Sequence, residues 1–326
     1  METNRPHIGQ GNGAPRQEFS VAEAGVSVAT NGEESGVAFC DGRYVPVAEA
    51  RISVLDWGFA RNDTTYDVVH VWKGSFFRLE DHLDRFERSC GLMRLDPGLE
   101  REALREVLME CVRRSGLRDA YVKLACTRGQ PAPGSRDPRT CRNTFFAFAI
   151  PFVWIIPPER QERGIHLILS SIPRIPPASV DPTAKNFHWG DLNRGLFEAQ
   201  ERGGDTVALS DLDGNVSEGP GFNVFRVQGG RVTTPEGTVL GGITRRTVEE
   251  LCAELGVGFE YGTVSADSLR EADEAFLSST AGGVIPVTRI DDRILSNGAP
   301  GPLTTRVRDL YWRKHDEGWH GTPVDY

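Results

Sequence analysis

Lys185 stands alone among uncharged and aromatic neighbours in Asp181-Pro182-Thr183-Ala184-Lys185-Asn186-Phe187-His188-Trp189. A lysine that is desolvated at an element boundary loses part of its proton affinity. It can then attack a carbonyl carbon as a neutral amine. Three further stretches could support that chemistry. In Leu240-Gly241-Gly242-Ile243-Thr244, two glycines precede the apolar residues Ile243, Val248, Leu251, Cys252 and Leu255, which recur at helical spacing. A helix N-terminus there offers free N–H groups, and the Thr244 hydroxyl, to an anion. Ser278-Ser279-Thr280-Ala281-Gly282-Gly283 follows a strand-like run and forms a second hydroxyl-rich cup. In Val216-Ser217-Glu218-Gly219-Pro220-Gly221-Phe222-Asn223, Glu218 is a lone acid between a turn and a strand. A buried carboxylate needs a charged or hydrogen-bonded partner, and a protonated ring nitrogen would be one.

The elements that must position these groups are legible in outline. Residues 1–36 are rich in Gly, Asn, Glu and Ser and read as an irregular N-terminal arm. A strand-rich region runs from Val37 to Trp72. Leu79, Leu83, Phe86, Cys90 and Met93 then form one helical stripe, and Leu104, Val107, Leu108, Cys111 and Val112 another. Tyr121–Thr127 and Phe145–Trp154 read as strands, with a long loop from Gly129 to Asn143 between them. A small domain over 37–154, a linker at 155–160 and a larger domain over 161–326 are expected. The larger one holds a helix from Gly190 to Gln200, paired strands around Asn223 and Arg231, and the helix after Thr244.

Composition bounds the function. The 326 residues are 39% hydrophobic and 25% charged, as expected of a globular protein with a sizeable core. A net charge of −9 argues against nucleic acid as a partner. Six scattered cysteines without a Cys-x-x-Cys pair suggest reduced thiols, with no disulfide framework and no metal site. No signal core or membrane-length apolar stretch is seen, so a cytoplasmic location is the expectation.

A reactive lysine, a phosphate cup and an acid for a ring nitrogen are together what pyridoxal 5′-phosphate requires. On these motifs, with Ala50–Phe59, Phe77–Phe86 and Val122–Gly129, the chain resembles the fold type IV (class IV) pyridoxal-phosphate aminotransferases. The resemblance runs from about Phe39 to the C-terminus. It implies an α+β fold of two domains, a small α/β sandwich and a larger pseudo-barrel, with the cofactor in the cleft between them and a homodimer whose active sites lie near the interface. It also implies site roles. Lys185 would be the catalytic residue and the covalent attachment point. Glu218 would accept from the ring N–H, while Arg85, Ile243, Thr244, Ser279 and Thr280 hold the phosphate. Phe222 and Asn223 would pack around the cofactor.

Three stretches resemble the (R)-selective amine transaminases within the family: Asn186–Leu192, Glu218–Asn223 and Pro133–Asp137. A site that takes both a neutral amine and a keto acid such as pyruvate needs a carboxylate anchor, and the loop Arg136 could serve by swinging in and out. A solvated loop charge is an equal reading of it. Thr64 and Val68 would limit one side pocket, Tyr66 would face the lysine, and Trp189 and Ala281 would shape the substrate space. Arg61 and Lys123 depart from that group, which often has histidine at the first position and an uncharged or acidic residue at the second. Two extra cations favour carboxylate-bearing donors, so a D-amino-acid aminotransferase is the alternative. Against it, no Arg-x-His pair occurs from Gly129 to Asn143. A branched-chain aminotransferase fits less well, because its acid motif usually lacks Pro-Gly-Phe. A lyase acting on aminodeoxychorismate and a non-catalytic cofactor-binding protein stand further off.

Overall fold

The computed structural model describes residues 36–326; the expected N-terminal arm lies, but for Gly36, outside the described residues. Two sheets dominate. The first is built from β1 (Val37–Cys40), β2 (Arg43–Pro46), β3 (Thr64–Trp72), β4 (Ser75–Phe77), β5 (Ala120–Gln130) and β6 (Arg142–Pro151). The second contains β7 (Ile165–Leu169), β8 (Thr206–Ala208), β9 (Glu218–Gly219), β10 (Phe222–Gln228), β11 (Arg231–Pro235), β12 (Gly258–Gly262), β13 (Glu274–Ser279), β14 (Gly283–Ile290) and β15 (Arg293–Ile294). The last strand, β16 (Gly321–Pro323), returns to the first sheet and gives the order β16-β4-β3-β5-β6-β1-β2. The second sheet runs β12-β11-β10-β13-β14-β7-β8, with β9 on β10 and β15 on β14.

The helices are α1 (Trp57–Arg61), α2 (Leu79–Met93), α3 (Arg101–Ser115), α4 (Pro158–Arg163), α5 (Gly190–Glu201), α6 (Ile243–Glu254), α7 (Ala266–Arg270) and α8 (Pro302–Asp316). The fold is therefore mixed α+β. Both predicted stripes, on α2 and α3, face the first sheet, where Leu83, Phe86, Leu104 and Leu108 join Val69, Val71, Val122 and Leu124 in one core.

β3 shows how the site is placed. Side chains alternate across a strand. Val69 and Val71 point to the helices, whereas Tyr66 and Val68 point the other way, toward the second sheet. On neighbouring β5, Lys123 lies directly opposite Val68 and Ala125 opposite Tyr66, so they share that inner face. Both faces are covered, which is why the strand is buried from Thr64 to Val71.

The structure differs from the expected elements in three places. The strand-rich stretch is interrupted by α1, because Asp56 caps it through the Gly58 N–H at 2.7 Å and Asn62 ends it with φ +57°. β6 stops at Pro151, short of Trp154, and β5 and β6 together shorten the expected loop at both ends. The 155–160 segment is already helical from Pro158, and Ile156 is core. Among the described residues, no helix is long and apolar enough to cross a membrane. All six cysteines are unpaired thiols.

Candidate active site

The lysine is fixed through its backbone before its side chain does anything. The Lys185 carbonyl accepts from the Tyr66 N–H (3.1 Å) and the Thr65 hydroxyl (2.7 Å). Its own N–H donates to Ser89 on α2 (3.3 Å). The chain at Lys185 thus continues the first sheet as an irregular neighbour of β3. Its ammonium nitrogen stands 4.6 Å from the centre of the Tyr66 ring, in a cavity shared with Glu218, Arg85 and Thr244. Burial, and then the nearby Arg85 charge, push the Lys185 amine down to about 8. Burial likewise holds the Tyr66 phenol well above its ordinary value, so it stays protonated.

Across the cavity, Glu218 on β9 lies opposite Asn223 on β10. One Glu218 oxygen accepts from the Leu240 N–H at 3.0 Å. The other meets the Arg174 guanidinium at 3.1 Å and 3.3 Å. Asn223 in turn donates to the Leu240 carbonyl (3.0 Å), so the acid and the glycine turn are braced together. A side chain could not replace Gly242 cheaply, since a Cβ there would sit 2.1 Å from the Asn223 amide oxygen.

α6 starts at Ile243 with no side chain capping it. Its first N–H groups lack intrahelical acceptors by construction, and the Thr244 hydroxyl joins them at the cavity wall. Ser279 and Thr280 line the same corner. The Ser278 hydroxyl beside them is buried with no protein partner.

Arg85 closes this corner, and the way it is held was not foreseen. Its guanidinium forms a two-point bond to Asp67 (2.7 Å and 2.8 Å) and a third to the Gly241 carbonyl (3.1 Å). Asp67 is fully buried and also lies 2.7 Å from His82 Nδ1. Burial alone would raise the Asp67 proton affinity, but Arg85, and then His82, hold it far below the usual carboxylate range. Burial, the largest influence on His82, lowers its value.

Next to this corner lies a cavity of about 380 Å³. Tyr66, Val68, Trp189, Ser279, Thr280 and Ala281, all expected in the site, line it. So do Tyr121, Val153, Ile155 and Leu196, which the sequence did not single out. Lys123 projects behind this wall, with its nitrogen 4.4 Å from the Tyr66 ring centre and 4.5 Å from that of Phe187. No carboxylate among the described residues pairs with it, and burial pushes its amine down to about 8.

The expected residues thus converge with four exceptions, one being Lys123, which stands behind Tyr66 and lines neither cavity. Arg136 is exposed in the loop after β5 and lines neither cavity. Arg61 is exposed at the end of α1, its guanidinium 3.3 Å above the Trp57 ring. Thr64 is fully buried under α1, close to Gly58, and does not reach either cavity. Conversely, sequence reasoning missed Asp67, Arg174 and Asp191. A charged residue inside the strand-like run Thr64–Trp72 was the available signal for Asp67. For Arg174, eleven residues before Lys185 in an irregular segment, there was none.

The donor set fits pyridoxal 5′-phosphate. Lys185 would supply the amine for its aldehyde, Glu218 an acceptor for its ring nitrogen, and Arg85, Thr244, Thr280 and the uncapped α6 terminus a seat for its phosphate. The comparisons agree. The amino-transferase class IV model matches residues 64–290. A putative branched-chain-amino-acid aminotransferase of Methanocaldococcus jannaschii is 33% identical over 84% of this chain and 94% of its own. The D-alanine aminotransferase of Bacillus licheniformis is 32% identical over 82% and 93%. The branched-chain amino acid aminotransferase from Thermobaculum terrenum, solved in its PLP-bound holo-form, superposes with a TM-score of 0.79 at 28% identity, covering 90% of this chain and 99% of that one. The class IV match over residues 64–290 and the likeness to these relatives along most of its length make the chain a member of the class IV aminotransferases, with pyridoxal 5′-phosphate as its cofactor.

Proposed function

We propose that this aminotransferase moves an amino group from an apolar (R)-amine to a keto acid such as pyruvate, in two half-reactions. The observation that carries the reading is the 380 Å³ cavity beside Lys185, walled by Val68, Val153, Ile155 and Leu196, with the half-buried Lys123 ammonium behind the Tyr66 ring that lines it. The apolar wall suits a hydrophobic amine substituent. Lys123 lacks a counter-ion, which a keto-acid carboxylate would supply. The (R) preference rests on the resemblance of Asn186–Leu192 and Glu218–Asn223 to the (R)-selective enzymes.

Bound pyridoxal phosphate supplies the electron sink. The chain supplies the rest. Lys185 Nζ, neutral in about half of the molecules near pH 8, accepts and returns the substrate proton. Glu218 holds the ring nitrogen side, and the Tyr66 and Trp189 rings exclude water from the lysine. Burial first, then the Arg85 charge, keep Lys185 partly neutral, and Lys123, near the same Tyr66 ring, adds a smaller push in that direction.

A carboxylate-bearing donor is the second reading, favoured by the same Lys123. The names of the relatives point to branched-chain amino acids or D-alanine. Turnover of racemic 1-phenylethylamine with pyruvate separates the readings. Residual (S)-amine is expected; consumption of both enantiomers, or of neither, would reject the proposal.

Lys123→Met is expected to raise KM for pyruvate about tenfold, the equivalent of a charged hydrogen bond, while changing the amine half-reaction less than about twofold. If Arg136→Ala has that effect and Lys123→Met does not, the carboxylate anchor lies on the loop instead.

We also propose the assembly that the family resemblance implies, a homodimer with its active sites near the interface, and the cytoplasmic location expected from the sequence.

A further inference from the structure

Arg174 belongs to none of the motifs that announce the site, yet it is the charged group nearest to the cofactor acid. It is 9% exposed and its backbone N–H is bonded to the Ser210 carbonyl at 2.8 Å. Its guanidinium spans two carboxylates. Nε and Nη2 reach Glu218 Oε1 at 3.3 Å and 3.1 Å, and Nη1 reaches Asp191 Oδ2 at 2.8 Å. Asp191, in the first turn of α5, is itself fixed. Its Oδ2 also accepts from the Ile175 N–H at 2.7 Å, and its Oδ1 from the Leu192 N–H at 2.8 Å. A carboxylate in the first turn of a helix is favoured there by the helix dipole.

We propose that Arg174 and Asp191 are positioning residues that aim the Glu218 carboxylate at the pyridine nitrogen and keep that nitrogen protonated. This deepens the cofactor assignment and rests on it. The planar fork of arginine holds Glu218 Oε1 through two N–H groups at once, which a lysine could not, and with the Leu240 N–H on Oε2 the carboxylate is fixed in direction and rotation. Charge counting agrees. Two carboxylates and one guanidinium leave one formal negative charge facing the cavity, which a pyridinium N–H would balance.

Glu218, and then Asp191, hold the Arg174 proton more firmly than usual, against the effect of burial. Without Arg174, two buried carboxylates would face each other across its empty place. Glu218 would lose the fork that aims it, and the ring nitrogen the fixed acceptor that favours its charged form, so the electron sink would become shallower.

The test compares two probes on the apoenzyme: pyridoxal phosphate, and its analogue in which carbon replaces the ring nitrogen. Dissociation constants come from quenching of protein fluorescence. Arg174→Gln is expected to weaken pyridoxal phosphate about tenfold or more, and the carbon analogue by less than about twofold. Arg174→Lys should fall between the parent and Arg174→Gln. The pH midpoint of the visible band of the bound cofactor should also move in Arg174→Gln.

Equal weakening of both probes would mean that Arg174 only supports the fold, and would overturn the proposal. So would unchanged binding of both. If Arg174→Gln does not fold, Asp191→Asn gives the same contrast, with a selective but smaller loss for pyridoxal phosphate expected. Equal effects on the two probes would overturn it there as well. Parent protein that failed to bind pyridoxal phosphate at all would refute the cofactor assignment together with this role.

Discussion

Lys185→Ala is expected to lower kcat by at least about a thousandfold, since on the proposed mechanism it removes both the attachment point and the group that moves the substrate proton. Binding of the cofactor should survive in weakened, non-covalent form. Arg85, Thr244 and the α6 terminus, which line the same cavity, would still hold the phosphate, and Glu218 the ring, without help from Lys185 Nζ. Thermal stability should change little, because the backbone of Lys185 is what β3 and Ser89 grip. Steady-state turnover alongside equilibrium dialysis of the cofactor checks this. Parent-like turnover in the variant would refute the role.

The pH dependence carries a sign. The neutral amine is the nucleophile, and burial has lowered the Lys185 value to about 8. Covalent attachment of pyridoxal phosphate to the apoenzyme should therefore quicken as pH rises and level off above about 8. An unperturbed lysine would keep gaining to about 10.4.

Asp67→Ala should have the largest effect on stability, about 3–5 kcal/mol. The change strands the buried Arg85 guanidinium and leaves His82 without its partner. Removing one member of a buried pair exposes the full desolvation penalty of the other, which is why the cost exceeds that of a surface ion pair. The same pair sets the acid limit. Arg85 and His82 hold the folded-state value of Asp67 far below its unfolded value near 3.9. Its stabilising contribution is thus complete above that unfolded value and is lost as pH falls through and below it. Chemical denaturation of parent and variant at neutral pH measures the loss. A difference under about 1 kcal/mol would mean that Arg85 finds another partner.

The chemistry-bearing residues were legible because each sits in a local pattern with its own physical logic. The glycines before Ile243 mark an uncapped helix start, and Glu218 stands alone between a turn and a strand. Lys185 lies in an apolar run. The stripes on α2 and α3 report which faces meet a sheet, and they do meet one. What stayed hidden depends on contacts between residues distant in sequence. Arg174 meets Glu218 only because the segment after β7 crosses behind β9. Asp67 reads as an interruption of a strand until α2 brings Arg85 and His82 onto it. Arg136 and Lys123 were both singled out as charges, and only their places in the fold tell them apart: the first is exposed in its loop, the second half-buried on a strand against Tyr66 and Phe187. The helix α1 was missed because its signal is short, one capping aspartate and one left-handed asparagine.

The donor half-reaction tests the substrate assignment most directly. Holoenzyme would be mixed in parallel with (R)-1-phenylethylamine, its (S) enantiomer, D-alanine and L-leucine, and the loss of the visible cofactor absorption followed in time. Rapid bleaching by the (R)-amine, with the (S)-amine inert, is the expected result. Rapid bleaching by D-alanine or L-leucine with no response to either aromatic amine would contradict it and make this enzyme an amino-acid aminotransferase.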